Sequence, residues 1–190
     1  MALPIPHRTF TVDEYYRMAD AGVFGPDERT ELLDGEIVVM TPPGERHASM
    51  VDRLTMLLAG PGGEKVIVRV QNPLRLDTRS EPQPDVTVLR YREDFYASGH
   101  PGAGDALVVV EVADSSLSLD RGYKRGLYAR SGVREFWLVD AKRGAVTVYA
   151  DPVDGEFTRE QEYRRGDSWL SPSLGREIRT ADVVGPGPAA

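Results

Sequence analysis

At 190 residues, with 41% hydrophobic and 28% charged side chains, the chain has the size and balance of one ordinary globular domain. The absence of cysteine excludes disulfides, thiolate catalysis and Cys-type zinc sites, and a net charge of −7 excludes coating of nucleic acid by bulk positive charge alone. No apolar run approaches the roughly 18 residues of a membrane span, and the opening MALPIPHRTF lacks the basic-then-apolar layout of a signal peptide, so a cytoplasmic protein away from membranes is expected.

Thr11 to Glu14, TVDE, has the form of a capping box and predicts a short helix over 12–20 that ends before Gly22. In TELLDGEIVVM the pair Asp34-Gly35 lies between two apolar runs, a strong hairpin signal that places Glu31 in the first strand. Met50, Val51, Leu54, Leu57 and Leu58 recur at helical spacing, and Gly60 stops that helix. Strands are expected at about 65–70, 74–76, 84–90 and 106–113, the last two joined by a Gly- and Pro-containing loop. RGYKRGLYARSG reads as a helix closed by Gly132; REFWLVD and AVTVYA read as strands around an AKRG turn. EFTREQEY is a weaker strand, and GPGPAA, from about residue 185, is a frayed tail. The sum is a mixed α/β or α+β fold, a single domain over 1–190. GPGGEK resembles a phosphate loop only superficially, and no Walker, GxSxG or HExxH pattern is present, so nucleoside triphosphate hydrolysis is not expected.

Two carboxylates stand where buried strands want hydrocarbon. Asp85 follows Pro84 and opens the run Val86, Val88, Leu89, while Glu111 lies between Val110 and Val112. An ionised carboxylate buried without a partner costs several kcal/mol or more, so each calls for a cation, a metal or a dense set of donors. If the two strands are neighbours, the carboxylates converge on a point suited to a hard divalent cation, whose remaining positions go to water and a substrate phosphate. Pairing with Arg or Lys is the other solution. Basic residues concentrate from Arg121 to Arg143, as a phosphate-facing patch or as a solvated helix face and turn.

ELLDGEI, His47 after a Pro-Pro loop, EPQPDVTVL, VVEVADSS and DRGYKRGLYARSGVREFWLVD together resemble the Uma-two family of restriction-endonuclease-like proteins, within the PD-(D/E)xK nuclease superfamily, over roughly 10–180. The resemblance implies a central mixed sheet flanked by helices and an endonuclease site dependent on Mg²⁺ or Mn²⁺ that hydrolyses phosphodiesters, above all of DNA. Asp85 and Glu111 would be catalytic metal ligands, with Glu31 joining directly or through water unless it faces solvent. The superfamily lysine belongs two residues after the Glu, where this chain has Ala113. The resemblance implies that Lys124 on the following helix takes over, with Asp120 and Tyr128 four residues to either side on one stripe. His47 reaches either a substrate phosphate or the helix's own first turn. Gln71 either orients Lys124 or the metal's water, or bonds backbone. A homodimer would supply two sites for two strands, with apolar residues of the late strands such as Phe136, Trp137, Val148 and Tyr149 as candidate contact surface, though most of these should be core. A nuclease fold that only binds or regulates, and a metal-dependent hydrolase of another phosphate ester, are the alternative functions.

Overall fold

A computed structural model describes residues 7–60, 65–114 and 116–186. Residues 61–64 of the GPGGEK stretch and the end of the tail at 187–190 lie outside the described residues. Helix α1, Val12–Asp20, starts as its capping box predicts: Glu14 N–H donates to Thr11 Oγ1 at 3.2 Å and Thr11 N–H donates to Glu14 Oε2 at 3.0 Å. Strands β1, Thr30–Leu33, and β2, Glu36–Val39, form an antiparallel ribbon around Asp34-Gly35. Both turn residues have positive φ, 49° and 83°, as the tight primed turn demands. A Cβ on Gly35 would lie 2.6 Å from Thr9 Cβ and 2.9 Å from the Phe10 carbonyl oxygen, so the position takes only glycine.

Helix α2, Glu45–Ala59, buries Met50, Val51, Leu54 and Leu58 on one side. They cover one face of a six-stranded sheet in the order β3, Val66–Val70; β4, Val86–Arg90; β5, Ala106–Ala113; β6, Glu135–Asp140; β7, Ala145–Val153; β8, Glu156–Arg164. Every pairing is antiparallel except β5 with β6, which is parallel. That pairing requires a crossover, supplied by a π-helical turn at Leu119–Lys124 running into α3, Arg125–Arg130. Strand β5 is covered on both faces, Val108, Val110 and Val112 against α2 and Val109 and Ala113 against the α3 side, and hence its unbroken apolar run. The architecture is mixed α+β, as expected.

Some expectations need correction. Residues 74–76 form no strand; Arg75 makes a single bridge to Gly102. Phe136, Trp137, Val148 and Tyr149, most of them expected in the core, are all four buried in the sheet's two cores and offer no contact surface. Strands β9, Ser168–Ser171, and β10, Arg176–Arg179, and helix α4, Thr180–Val184, had no counterpart in the sequence reading. They close the α2 face by inserting Trp169, Ile178, Val183 and Val184.

Candidate functional site

Val86 pairs with Val110, and continuing that antiparallel register places Asp85 across from Glu111 on the sheet face opposite Val86 and Val110. The two carboxylates do converge. Asp85 Oδ2 accepts from the Val112 N–H at 2.8 Å, and its Oδ1 accepts from His47 Nε2 at 3.0 Å and Gln71 Nε2 at 3.2 Å. Only 7% of Asp85 and 4% of Glu111 is exposed.

The amine arrives from the crossover. Lys124 Nζ lies 3.1 Å from Glu111 Oε1 and 2.9 Å from Glu31 Oε1, with 4% of the residue exposed. Tyr128, one turn on, donates its O–H to the same Glu111 oxygen at 2.6 Å, so Lys124 and Tyr128 share a stripe. Asp120, also buried, accepts from Ser116 Oγ and makes no ion pair with Lys124 within 4.0 Å. Glu31 does not face solvent; its Oε2 accepts from Gln83 N–H at 3.1 Å. Ala113 is itself buried, in the core of the α3 side.

Electrostatics follow from burial. Desolvation pushes the Glu111 carboxyl up despite Lys124, and Asp120, Asp85 and Glu31 push the same way. Burial pulls the Lys124 ammonium down, but Glu111, Glu31 and Asp120 outweigh it and keep it charged. Asp120 is raised chiefly by its own burial. The bond to Asp85 raises His47 against the opposing effect of burial.

His47 does not cap its helix: Gly44 is the N-cap without a side-chain bond, and the imidazole spends Nε2 on Asp85 while Nδ1 is buried with no partner among the described residues. Gln71 orients Asp85 rather than Lys124. It adopts φ 51°, its N–H donates to the carbonyls of Pro84 and Asp85, and its amide oxygen accepts from Arg29 Nη1 at 3.2 Å. The sequence reading missed Arg29. Its signal was the pair Arg29 and Glu31, two apart in an extended segment and therefore on one side. The basic segment is partly neutralised: Arg125 pairs with Glu156 and Glu160, Arg130 with Asp34, and Arg143 with Glu162, whereas Arg121, Arg134 and Lys142 make no ion pair among the described residues.

Glu31, Asp85, Glu111, Asp114 and Asp120 line a cavity of about 150 Å³ together with two permanent cations, Lys124 and Arg29. Five carboxylates against those two is a donor set that fits a hard divalent cation. Glu111 Oε2 and Asp120 Oδ1 accept no hydrogen bond among the described residues and are free for one. Lys124, however, fills the gap between Glu111 and Glu31, and no group of three His, Asp or Glu among the described residues stands preassembled around a metal position.

The sequence from residue 12 to 182 matches the family Uma2, described as "Putative restriction endonuclease". The chain belongs to the Uma2 family. Among solved structures the chain is similar in fold to "a putative nuclease belonging to DUF820" from Anabaena variabilis ATCC 29413, 16% identical, which superposes with a TM-score of 0.68 over 92% of this chain and 97% of that one. No curated protein matches in sequence. The Uma2 fold thus frames the cavity, and among its described residues no helix is long and apolar enough to cross a membrane.

Proposed function

We propose that this chain is a divalent-metal-dependent endonuclease that hydrolyses phosphodiester bonds of DNA. The observation that carries the reading is the buried set Asp85, Glu111 and Lys124, with a lysine from the crossover helix bonded to a strand-borne glutamate. Asp85 and Glu111, with Glu31, would hold Mg²⁺ or Mn²⁺. Bound there, the cation supplies Lewis-acid polarisation and charge neutralisation at the phosphate. Lys124, held as an ammonium by two carboxylates, serves as a fixed positive charge for the attacking hydroxide and not as a base. Tyr128 fixes Glu111; His47 and Gln71 fix Asp85. Cutting both strands of a duplex needs two such sites, which a two-fold homodimer would provide.

The test is nicking of supercoiled plasmid with Mg²⁺ or Mn²⁺ against chelator, with wild type and Asp85→Ala. Metal-dependent cleavage lost in the variant supports the reading. Cleavage retained in the variant sinks this site, and binding without any turnover leaves a nuclease-fold binding protein. The pairing of Arg125, Arg130 and Arg143 within the basic segment favours one second reading, a hydrolase of small phosphate esters, which turnover of a nitrophenyl phosphodiester without plasmid cleavage would identify.

A further inference from the structure

The cavity is built to hold positive charge, and that creates a difficulty for its substrate. A phosphodiester entering among Glu31, Asp85, Glu111, Asp114 and Asp120 meets carboxylates on several sides. The charge of Lys124 is already shared between Glu111 and Glu31. A bound cation offsets part of the repulsion, but the phosphate's non-bridging oxygens still need donors.

Arg29 is the other permanent cation of the wall. Its carbonyl accepts from the Met40 N–H, which extends the ribbon ladder one residue beyond β1 and aims its side chain to the same side as Glu31. It is partly exposed, and it makes no ion pair among the described residues despite the carboxylates nearby. Of the roughly five N–H donors of a guanidinium, one is used among the described residues, from Nη1 to Gln71 Oε1. Gln71 is itself locked, by the hydrogen bonds from its backbone N–H to the Pro84 and Asp85 carbonyls and by the hydrogen bond its side-chain Nε2 donates to Asp85 Oδ1. An arginine braced on one edge with the rest of its fork unspent is preorganised for two oxygens of a tetrahedral anion.

We propose that Arg29 is the substrate-phosphate contact of the cavity, binding non-bridging oxygens of the nucleic-acid backbone beside the carboxylate pair. The inference rests on the nuclease reading and names the residue that reconciles an acidic cavity with an anionic substrate. Arg29 is a ground-state contact, distinct in role from Lys124.

The experiment measures anisotropy of a short labelled oligonucleotide in Ca²⁺, with Mn²⁺ affinity by calorimetry in parallel, for wild type, Arg29→Lys and Arg29→Ala. Arg29→Ala should weaken oligonucleotide binding about tenfold to a hundredfold, the worth of a charge-assisted contact. Arg29→Lys should fall between, and Mn²⁺ affinity should stay within about twofold, because Asp85 keeps its bonds from His47 and Val112. Equal oligonucleotide affinity in Arg29→Ala and wild type overturns the inference. So does a parallel loss of Mn²⁺ affinity, which would mean that Arg29 acts only through Gln71 on Asp85. Metal-dependent plasmid cleavage by wild type separates the two levels: if it persists while Arg29→Ala binds normally, this inference alone fails. If wild type neither cleaves nor binds, the nuclease reading falls with it. Arg29→Gln repeats the test if the alanine variant does not fold.

Discussion

Replacing Lys124 with methionine keeps most of the side chain's length and removes one charge from between two buried carboxylates. Nζ sits 2.9 Å from Glu31 and 3.1 Å from Glu111, and all three residues are at most 4% exposed, so solvent cannot replace it. Breaking a buried pair by removing one partner costs about 3–5 kcal/mol. At roughly 2–4 °C per kcal/mol for a chain of this size, the melting temperature should drop on the order of 10 °C. Protonation of Glu111, whose pKa burial already drives upward, limits the loss. Two further consequences separate a catalytic ammonium from a structural one. Saturating Mn²⁺ should raise the melting temperature of Lys124→Met more than that of wild type, since the freed carboxylates gain the cation as their counter-charge. Turnover, measured well below both melting transitions, should fall about a hundredfold or more, as when one preorganised electrostatic donor is removed. Calorimetry with and without Mn²⁺ and a plasmid-nicking time course read these out. Wild-type turnover in a folded Lys124→Met would refute the catalytic role, and an unchanged melting temperature would refute the buried pair itself.

Asp85→Ala and Glu111→Ala should each abolish calorimetric Mn²⁺ binding; undiminished affinity in Asp85→Ala would show that the carboxylates are not a cation site. Tyr128→Phe removes the 2.6 Å donor to a buried carboxylate and should cost about 1.5–3 kcal/mol in urea unfolding, with no measurable cost counting against the bond. Charge reversal at Arg121 and Lys142, which make no ion pair among the described residues, should lower DNA affinity and reduce the log–log salt slope by about one per charge. At Arg125 and Arg130, already paired with Glu156, Glu160 and Asp34, reversal should act on folding instead. Equal salt slopes in all four variants would contradict that division.

What was legible in the sequence was local or register-bound. TVDE, Asp34-Gly35 and the helical repeat from Met50 to Leu58 each contain their own instruction, and each forms. Asp85 and Glu111 were legible because a carboxylate in an apolar strand is conspicuous, and β4–β5 pairing brings them together. Strands β9 and β10 were not, because four residues with a single inward apolar side chain, Trp169 or Ile178, give too short an alternation to register. Strand β8 read weakly since an edge strand exposed along most of its length has little apolar pattern. The role of Gln71 depends on a left-handed residue just past β3, which a bulky polar side chain does not announce. The neutralisation of Arg125, Arg130 and Arg143 depends on partners 19 to 96 residues away, beyond any local pattern.

The missing lysine two residues after Glu111 changes what holds the site together. An amine at position 113 would ride on β5, and strand register alone would fix its place relative to Glu111. Here the amine rides on the π-helical turn that begins the crossover, a geometry that recurs at functional sites. Glu31 rides on a separate two-stranded ribbon outside the main sheet. Register therefore fixes only Asp85 against Glu111, and the remaining groups must be pinned by polar contacts. The ribbon tip supplies one pin: Asp34 accepts from Tyr123 on the π-turn and from Arg130 on α3, and although burial opposes it, those two donors hold its carboxyl below the usual range. The outer side of β1 supplies another, in the paired backbone bonds between Leu32 and Glu81. Glu81 is in turn gripped by Tyr16 at 2.6 Å and by Arg75. Two buried carboxylates on two different units then meet one ammonium on a third, and each ion pair that Lys124 makes locks a unit that the sheet does not. The residue proposed to place a positive charge beside the reacting phosphate is thus also the joint of ribbon, sheet and crossover. Removing it must therefore register in stability and in rate together.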